Sequence, residues 1–351
     1  MGMTMTQKIL AAHAGLDHVE AGQLILVNLD RVLGNDITSP VAIREFNKLG
    51  TDHVFDKDKV TMVMDHFAPN KDIKAATQCK MCRDFCNEKE VTHFYDVGQM
   101  GIEHALLPEK GLVVSGDVVI GADSHTCTYG ALGAFGTGVG CTDYLYAMVT
   151  GKSWLLVPET LRFNLKGKLK DGVYARDLIL TIIGKIGANG ANYMAMEFGG
   201  EGLKTLNMSD RISICNLCVE AGAKTALMEV DDITIDYLKE HGRKPKHSFS
   251  SDADAKFAKV YDINLDEIEP IVAKPHFVDS VVPAKECLET HIDEAFLGSC
   301  NNGRIEDLRV GAELIKGKKV APLVRFLVVP ASASVYEQAL KEGIIDTFME
   351  S

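Results

Sequence analysis

The sequence predicts an α/β protein built from mostly parallel sheets with helices on both faces. Three observations predict it. Short apolar, β-branched runs alternate with amphipathic helical patterns along all 351 residues. Glycines mark the ends of the helical patterns. Reactive side chains recur directly after the apolar runs, at the strand ends where open parallel sheets gather their ligands.

Taken in order, KVTMVMDHF (59–67) reads as a buried strand closed by Asp65 and His66. NKDIKAATQCKMCRDFCNEK then reads as a helix capped by Asn70. DVVIGADSH is a second strand, closed by Asp123, Ser124 and His125. VPETLRFNLKGKLKDG (157–172) alternates apolar and polar residues and opens a second unit. The polar stretch EHGRKPKHSFSSDADAK (240–256) reads as a surface excursion, and IVAKPHFVDSVVPAKE (271–286) as a proline-punctuated crossing into a third unit. EAFLGSC is a strand ending at Cys300, and GRIEDLRVGAELIKG is a helix closed by Gly317. In SVYEQALKEG, Ser334 and Glu337 read as a capping box with Gly343 as the stop. The expected domains are 1–156, 157–270 and 271–351.

The formal charge of −12 argues against a nucleic-acid surface, which needs clustered Lys and Arg. No apolar run approaches the 18 to 20 or so residues that span a bilayer, and no basic-then-apolar leader follows Met1, so a cytoplasmic protein is expected. Nine cysteines, an odd number in a long chain, do not form the pattern of a secreted disulfide framework. Free thiols, redox chemistry or metal ligation fit better.

The stretch GADSHTCTYGALGAFGTGVGCTD (121–143) joins reactive groups to closely spaced glycines. Its GTGVG has GxGxG spacing rather than the dinucleotide GxGxxG, so the glycines read as close backbone packing. Cys79, Cys82 and Cys86 fall on one helical face, and Cys215 and Cys218 have CxxC spacing. Both sets read as core thiols ahead of metal ligands. His125 and Cys127 leave a zinc half-site open. Asp65 beside His66, His104 in GIEHALLPEKG, Asp123 beside His125, and Glu220 supply several carboxylates and imidazoles for proton transfer. Cys300, before a helix N-terminus, reads as a thiolate that serves as nucleophile or ligand.

GADSHTCTYGALGAFGTGVG and FLGSCNNGRIEDLR, together with MDHFAPN and GIEHALLPEKG, strongly resemble the aconitase superfamily, within it most closely the large subunits of isopropylmalate dehydratases. The resemblance implies three-layer α/β/α domains, a [4Fe–4S] cluster, a separate small subunit with the swivelling domain, and a small hydroxy-diacid substrate. The implied reaction, in leucine biosynthesis, isomerises 2- and 3-isopropylmalate by dehydration and rehydration.

Carried over by motif, Cys300 is implied as a cluster ligand. Asp65 and His66 are the implied pair that protonates the departing hydroxyl, with His104, Asp123 and His125 completing the proton network. Glu220 is implied as the partner of a histidine. Asn35, Ser124, Asn216 and Asn302 are implied at the substrate. Two further cysteine ligands expected of the family have no match before KEGIIDTFMES ends the sequence. The resemblance thus implies an incomplete third domain and a chain inactive by itself. Asn301 stands where the family usually has Thr, and Cys141 where Ser is frequent. Homoaconitate, citramalate or 2,3-dimethylmalate are alternative substrates. A cluster-free binding protein or a nonfunctional fragment are the alternatives outside catalysis.

Overall fold

In the computed structural model, which describes residues 2–351, the chain begins with α1 (Met5–Ala14), where Thr4 and Gln7 cap each other reciprocally, and β1 (Leu24–Asn28). β2 (Arg31–Asn35), α2 (Ser39–Phe46), β3 (Val60–Val63), α3 (Ile73–Glu88), β4 (His93–Tyr95), α4 (Glu103–Glu109) and β5 (Val118–Gly121) follow. A 3-10 helix over Ser124–Leu132 leads into β6 (Phe135–Gly138) and α5 (Cys141–Thr150). Strands β2 to β6 form a parallel five-stranded sheet in the order β4-β3-β2-β5-β6. β3 and β5 are buried on both faces, which is why they read as unbroken apolar runs. β7 (Lys152–Leu156) returns antiparallel to β1.

β8 (Thr160–Lys166), α6 (Ala175–Ile186), β9 (Ala195–Gly199), α7 (Met208–Leu217), β10 (Thr225–Met228), α8 (Asp232–Glu240) and β11 (Lys259–Asn264) build a second parallel sheet, order β10-β9-β8-β11. β12 (Ile271–Ala273) and β13 (Val281–Pro283) make an antiparallel hairpin. β14 (Glu294–Leu297), α9 (Ile305–Ile315), β15 (Arg325–Val328), α10 (Ala333–Lys341) and α11 (Ile344–Met349) complete the chain, with β14 and β15 parallel.

One continuous apolar cluster joins the two large sheets, packing Leu33, Val63 and Leu106 together with Phe163, Ile182 and Phe198. A second lies on the other face of the first sheet around Met5, Phe46, Phe85 and Met148. Cys79, Cys82 and Cys86 point into it, so this stripe is core. Cys215 and Cys218 are likewise buried. The β14–β15 region has a small cluster of its own around Leu308 and Ala339. No helix among the described residues is long and apolar enough to cross a membrane.

Local details differ from the sequence reading in three places. The cap of α3 is Asp72, whose carboxylate accepts the Ala75 N–H; Asn70 instead donates to the Phe67 carbonyl and Cys79 Sγ. The cap of α10 is Ser332, bonded by the Val335 N–H, rather than Ser334. The 240–256 stretch is docked: Ser251 donates to Glu197, and Lys8 bridges to Asp252, tying α1 to the second sheet.

Candidate active site

β3 and β5 end side by side with β2 between them, so the residues just past their C-terminal ends share one edge of the first sheet. Asp65 and His66 follow β3, and Asp123 follows β5. His104 rises from the first turn of α4 and Glu220 from the turn after α7. The Asp36 carboxylate, buried after β2, accepts the His66 and Phe67 backbone N–H groups and fixes that loop.

Asp123 is the hub. Its Oδ1 receives His104 Nε2 at 2.7 Å and the His125 backbone N–H at 2.7 Å, while Oδ2 faces His66 Nε2 at 3.5 Å. His66 Nδ1 lies 2.7 Å from Asp65 Oδ1, and His125 Nε2 lies 3.4 Å from Glu220 Oε1. Each imidazole thus has a carboxylate, and Asp123 links all of them. Burial pushes the Asp123 carboxyl up, but hydrogen bonds from His104, His125 and His66 outweigh it and hold it far below the carboxylate range. The Asp123 and Asp65 carboxylates push His66 up to about 11. Asp123 and Glu220 push His125 up to about 10. Both imidazoles are therefore cationic at neutral pH. The bond to His125 also lowers Glu220.

Cys300 comes from the loop after β14, where Ser299 adopts a left-handed φ of 77°. Its half-buried thiol donates toward Asn216 Oδ1 at 3.8 Å. Asn216 is fully buried and also donates to Thr128 at 2.9 Å while accepting from Asn301 at 3.2 Å. Arg304 braces the same loop through Ser213 Oγ and Ser209 Oγ. Ser124 is exposed at the rim, 3.2 Å from His125 Nδ1.

The structure thus brings Asp65, His66, His104, Asp123, Ser124, His125, Glu220, Asn216 and Cys300 together. Two residues sit differently from the expectation. Asn35 is in the wall behind the cluster, its oxygen accepting from Ile37 and Thr38 and its amide donating to Glu103 at 3.2 Å. Asn302 is held by Asp307 at 2.8 Å. The helix N-terminus expected to favour a Cys300 thiolate is occupied as well: Asp307 accepts the Gly303 and Arg304 N–H groups.

Sequence reasoning missed Glu103. It is fully buried against the hub, 3.8 Å from His104 Nε2, and its Oε2 has no hydrogen-bond partner. Burial first, then the neighbouring charges of Asp65 and Asp123, drive its carboxyl well above the usual range, which favours the protonated form. A glutamate beside His104 at the start of α4, ahead of an apolar run, was the available signal.

A profile of the aconitase family (aconitate hydratase) matches residues 7–291 and 283–351. The chain belongs to the aconitase family. Among its relatives, the 3-isopropylmalate dehydratase large subunit of Caldicellulosiruptor saccharolyticus is 56% identical over 350 residues, covering 99% of this chain and 82% of that protein. The protein of the same name from Clostridium kluyveri is 56% identical over 351 residues, covering 100% and 84%. That from Helicobacter hepaticus is 53% identical over 351 residues, again covering 100% and 84%. The crystal structure of Thermococcus kodakaraensis aconitase X (holo-form) aligns with a TM-score of 0.51 at 14% identity, over 98% of this chain and 81% of that one. At that identity the likeness is one of fold, and it places the α/β architecture among aconitase-like proteins.

Aconitase-family proteins and their dehydratase relatives generally bind a [4Fe–4S] cluster. The donor chemistry here suits one corner of such a cluster. Cys300 is half-buried beside the histidines. Cys127, the other thiol of this region, donates to the Cys215 carbonyl, and burial pushes it up to about 12. Among the described residues, then, Cys300 fits as one thiolate ligand, and a full ligand set is not assembled.

Proposed function

We propose that this chain is the large subunit of a 3-isopropylmalate dehydratase, a hydro-lyase that interconverts 2- and 3-isopropylmalate and works with a small subunit. The observation that carries the reading is the set of imidazole–carboxylate pairs sharing Asp123 and facing Cys300, in a chain more than half identical to proteins of that name.

Removing a hydroxyl as water requires a proton at the departing oxygen and a carboxylate to keep the donor cationic. His66 supplies the proton: Asp123 and Asp65 keep its imidazolium charged, and its side chain is one-third exposed at the mouth of the site. His104 stays behind it, held in one orientation by Asp123 and packed on the Tyr129 ring at 5.6 Å. His125 and Glu220 form the second partly exposed pair, in which the imidazolium can give up a proton and the carboxylate can accept one. Ser124 is placed to donate to a substrate carboxylate, and Asn216 fixes the Cys300 loop. Cys300 is the ligand this chain offers to the cluster, which supplies Lewis-acid chemistry at the substrate hydroxyl and carboxylate when bound.

The test is turnover by a chain carrying the full set of cluster cysteines, assembled with its small subunit and reconstituted with iron and sulfide. Isopropylmalate is consumed with a rise in the ultraviolet absorbance of the unsaturated diacid, and His66→Gln lowers kcat by about 10²- to 10⁴-fold. A complex that carries a cluster yet leaves isopropylmalate untouched overturns the reading.

A further inference from the structure

The strands that present the acid–base residues at their C-terminal ends carry a cationic pocket at the other end. Arg31 opens β2, Lys59 immediately precedes β3 and Asp117 immediately precedes β5. With Arg243, Lys244 and Lys246 from the segment after α8, they line a cavity of about 680 Å3. It lies a strand's length from Asp65 and Asp123, roughly 15 Å at about 3.3 Å per residue. Nothing in the proposed dehydratase chemistry uses it.

Two acidic groups are present, and both are engaged. Asp30 accepts His13 Nε2 at 2.6 Å and also pairs with Lys246, which reaches Asp117 at 3.6 Å. Arg31, Lys59, Arg243 and Lys244 have no ion-pair partner among the described residues. Backbone carbonyls fix the two guanidinium groups from behind: Arg31 Nε donates to Leu112 at 2.9 Å and Nη1 to Asp58 at 3.0 Å, while Arg243 Nε donates to Gly111 at 2.8 Å. Arg31 Nη1 also donates to Thr61 Oγ1 at 3.0 Å, so Arg31 Nη2 and the two terminal nitrogens of Arg243 are the groups left without a protein acceptor among the described residues. The positive field extends inward. Burial first, then the charges of Arg31 and Arg243, hold the nearby His93 below its ordinary value. In a chain of net charge −12 this is a local reversal of sign. Leu112, Val114 and Pro245 add an apolar wall.

We propose that this pocket binds a phosphate-bearing small molecule. The prepositioned guanidinium fork of Arg243 and the free Nη2 of Arg31, with two unpaired ammonium groups, match the several oxygens and the charge of a phosphoryl group. The volume is that of a small-molecule site. Because its walls come from the first sheet's strand starts and from the segment after α8, a bound anion bridges residues 31–117 to residues 243–246.

Calorimetric titration with pyrophosphate, inorganic phosphate and citrate, with thermal unfolding alongside, tests this. Pyrophosphate binds once per chain and raises the unfolding temperature. The Arg243→Glu/Lys244→Glu variant, which alters two exposed residues and is checked for native circular dichroism, loses affinity at least about ten-fold. Lys59→Glu, from the opposite wall, weakens binding in the same direction. The proposal is overturned if pyrophosphate fails to saturate below about 10 mM. It is equally overturned if the charge-reversal variants bind as the parent does, or if citrate binds as tightly as pyrophosphate.

Discussion

Replacing Asp123 by asparagine tests whether one carboxylate governs the charge of the whole histidine cluster. The replacement has the same shape, and its amide oxygen can still accept from His104 and the His125 backbone, the two partners at 2.7 Å. What changes is the side facing His66 at 3.5 Å, where an NH2 donor replaces a carboxylate oxygen. An imidazolium N–H cannot accept from that donor, whereas a neutral Nε2 can. An opposite charge at this range is worth about 1–3 in pKa, which brings His66 from about 11 to roughly 8–10. Loss of charge-assisted hydrogen bonds lowers stability by about 1.5–3 kcal/mol. A histidine raised above its unfolded value of 6.5 stabilises fully below that pH, and loses its contribution as the pH climbs toward 11. The stability gap between the parent and Asp123→Asn therefore stays at its full width up to the variant's midpoint of roughly 8–10 and closes as the pH climbs on toward 11. Side-chain 15N NMR of the histidines follows the titration, and urea unfolding at several pH values follows the stability. A parent His66 that titrates near 6.5, or a variant whose His66 midpoint does not fall, refutes the reasoning.

Glu103→Gln is expected to change unfolding free energy by less than about 1 kcal/mol at pH 7, because burial and the neighbouring carboxylates favour the protonated carboxyl; a loss of several kcal/mol in urea melts would show an ion there. Native alkylation followed by mass spectrometry is expected to modify only Cys141, Cys287 and Cys300 of the nine cysteines, the remainder being buried. Labelling of Cys127 or Cys82 without denaturant contradicts the packing. Gly130→Ala places a Cβ 1.6 Å from the Ala226 carbonyl oxygen and is expected to cost at least about 4 kcal/mol or abolish soluble expression, read by thermal unfolding.

The parallel α/β architecture was legible because a strand buried on both faces must be uniformly apolar, as β3 and β5 are. The pairs at strand ends were legible for the same reason: Asp65 and His66 interrupt such a run, and so do Asp123 and His125. The tight glycines were legible in kind, and Gly136 and Gly138 do abut the Thr126 and Asp123 carbonyls. The role of Asn35 was not legible, since nothing local says that its amide turns toward a carboxyl 68 residues on. Glu103 was missed because the protonated form that makes it tolerable is favoured by burial and by two acids distant in sequence. The caps at Asp72 and Ser332 were misplaced by two residues, a small error that reflects several adjacent polar residues able to start the same helix.

The apolar cluster shared by the two large sheets has a mechanical consequence. Phe163 and Phe198 pack in the same core as Leu33 and Val63, so the histidines and Glu220 ride on a single welded chassis. Cys300 does not ride on it. It belongs to the body with its own small core, fastened to the chassis by polar straps such as Ser332 to Glu109 and Arg304 to Ser209. The distance from the thiol to the row of acids and bases is therefore set by directional polar contacts rather than by apolar packing.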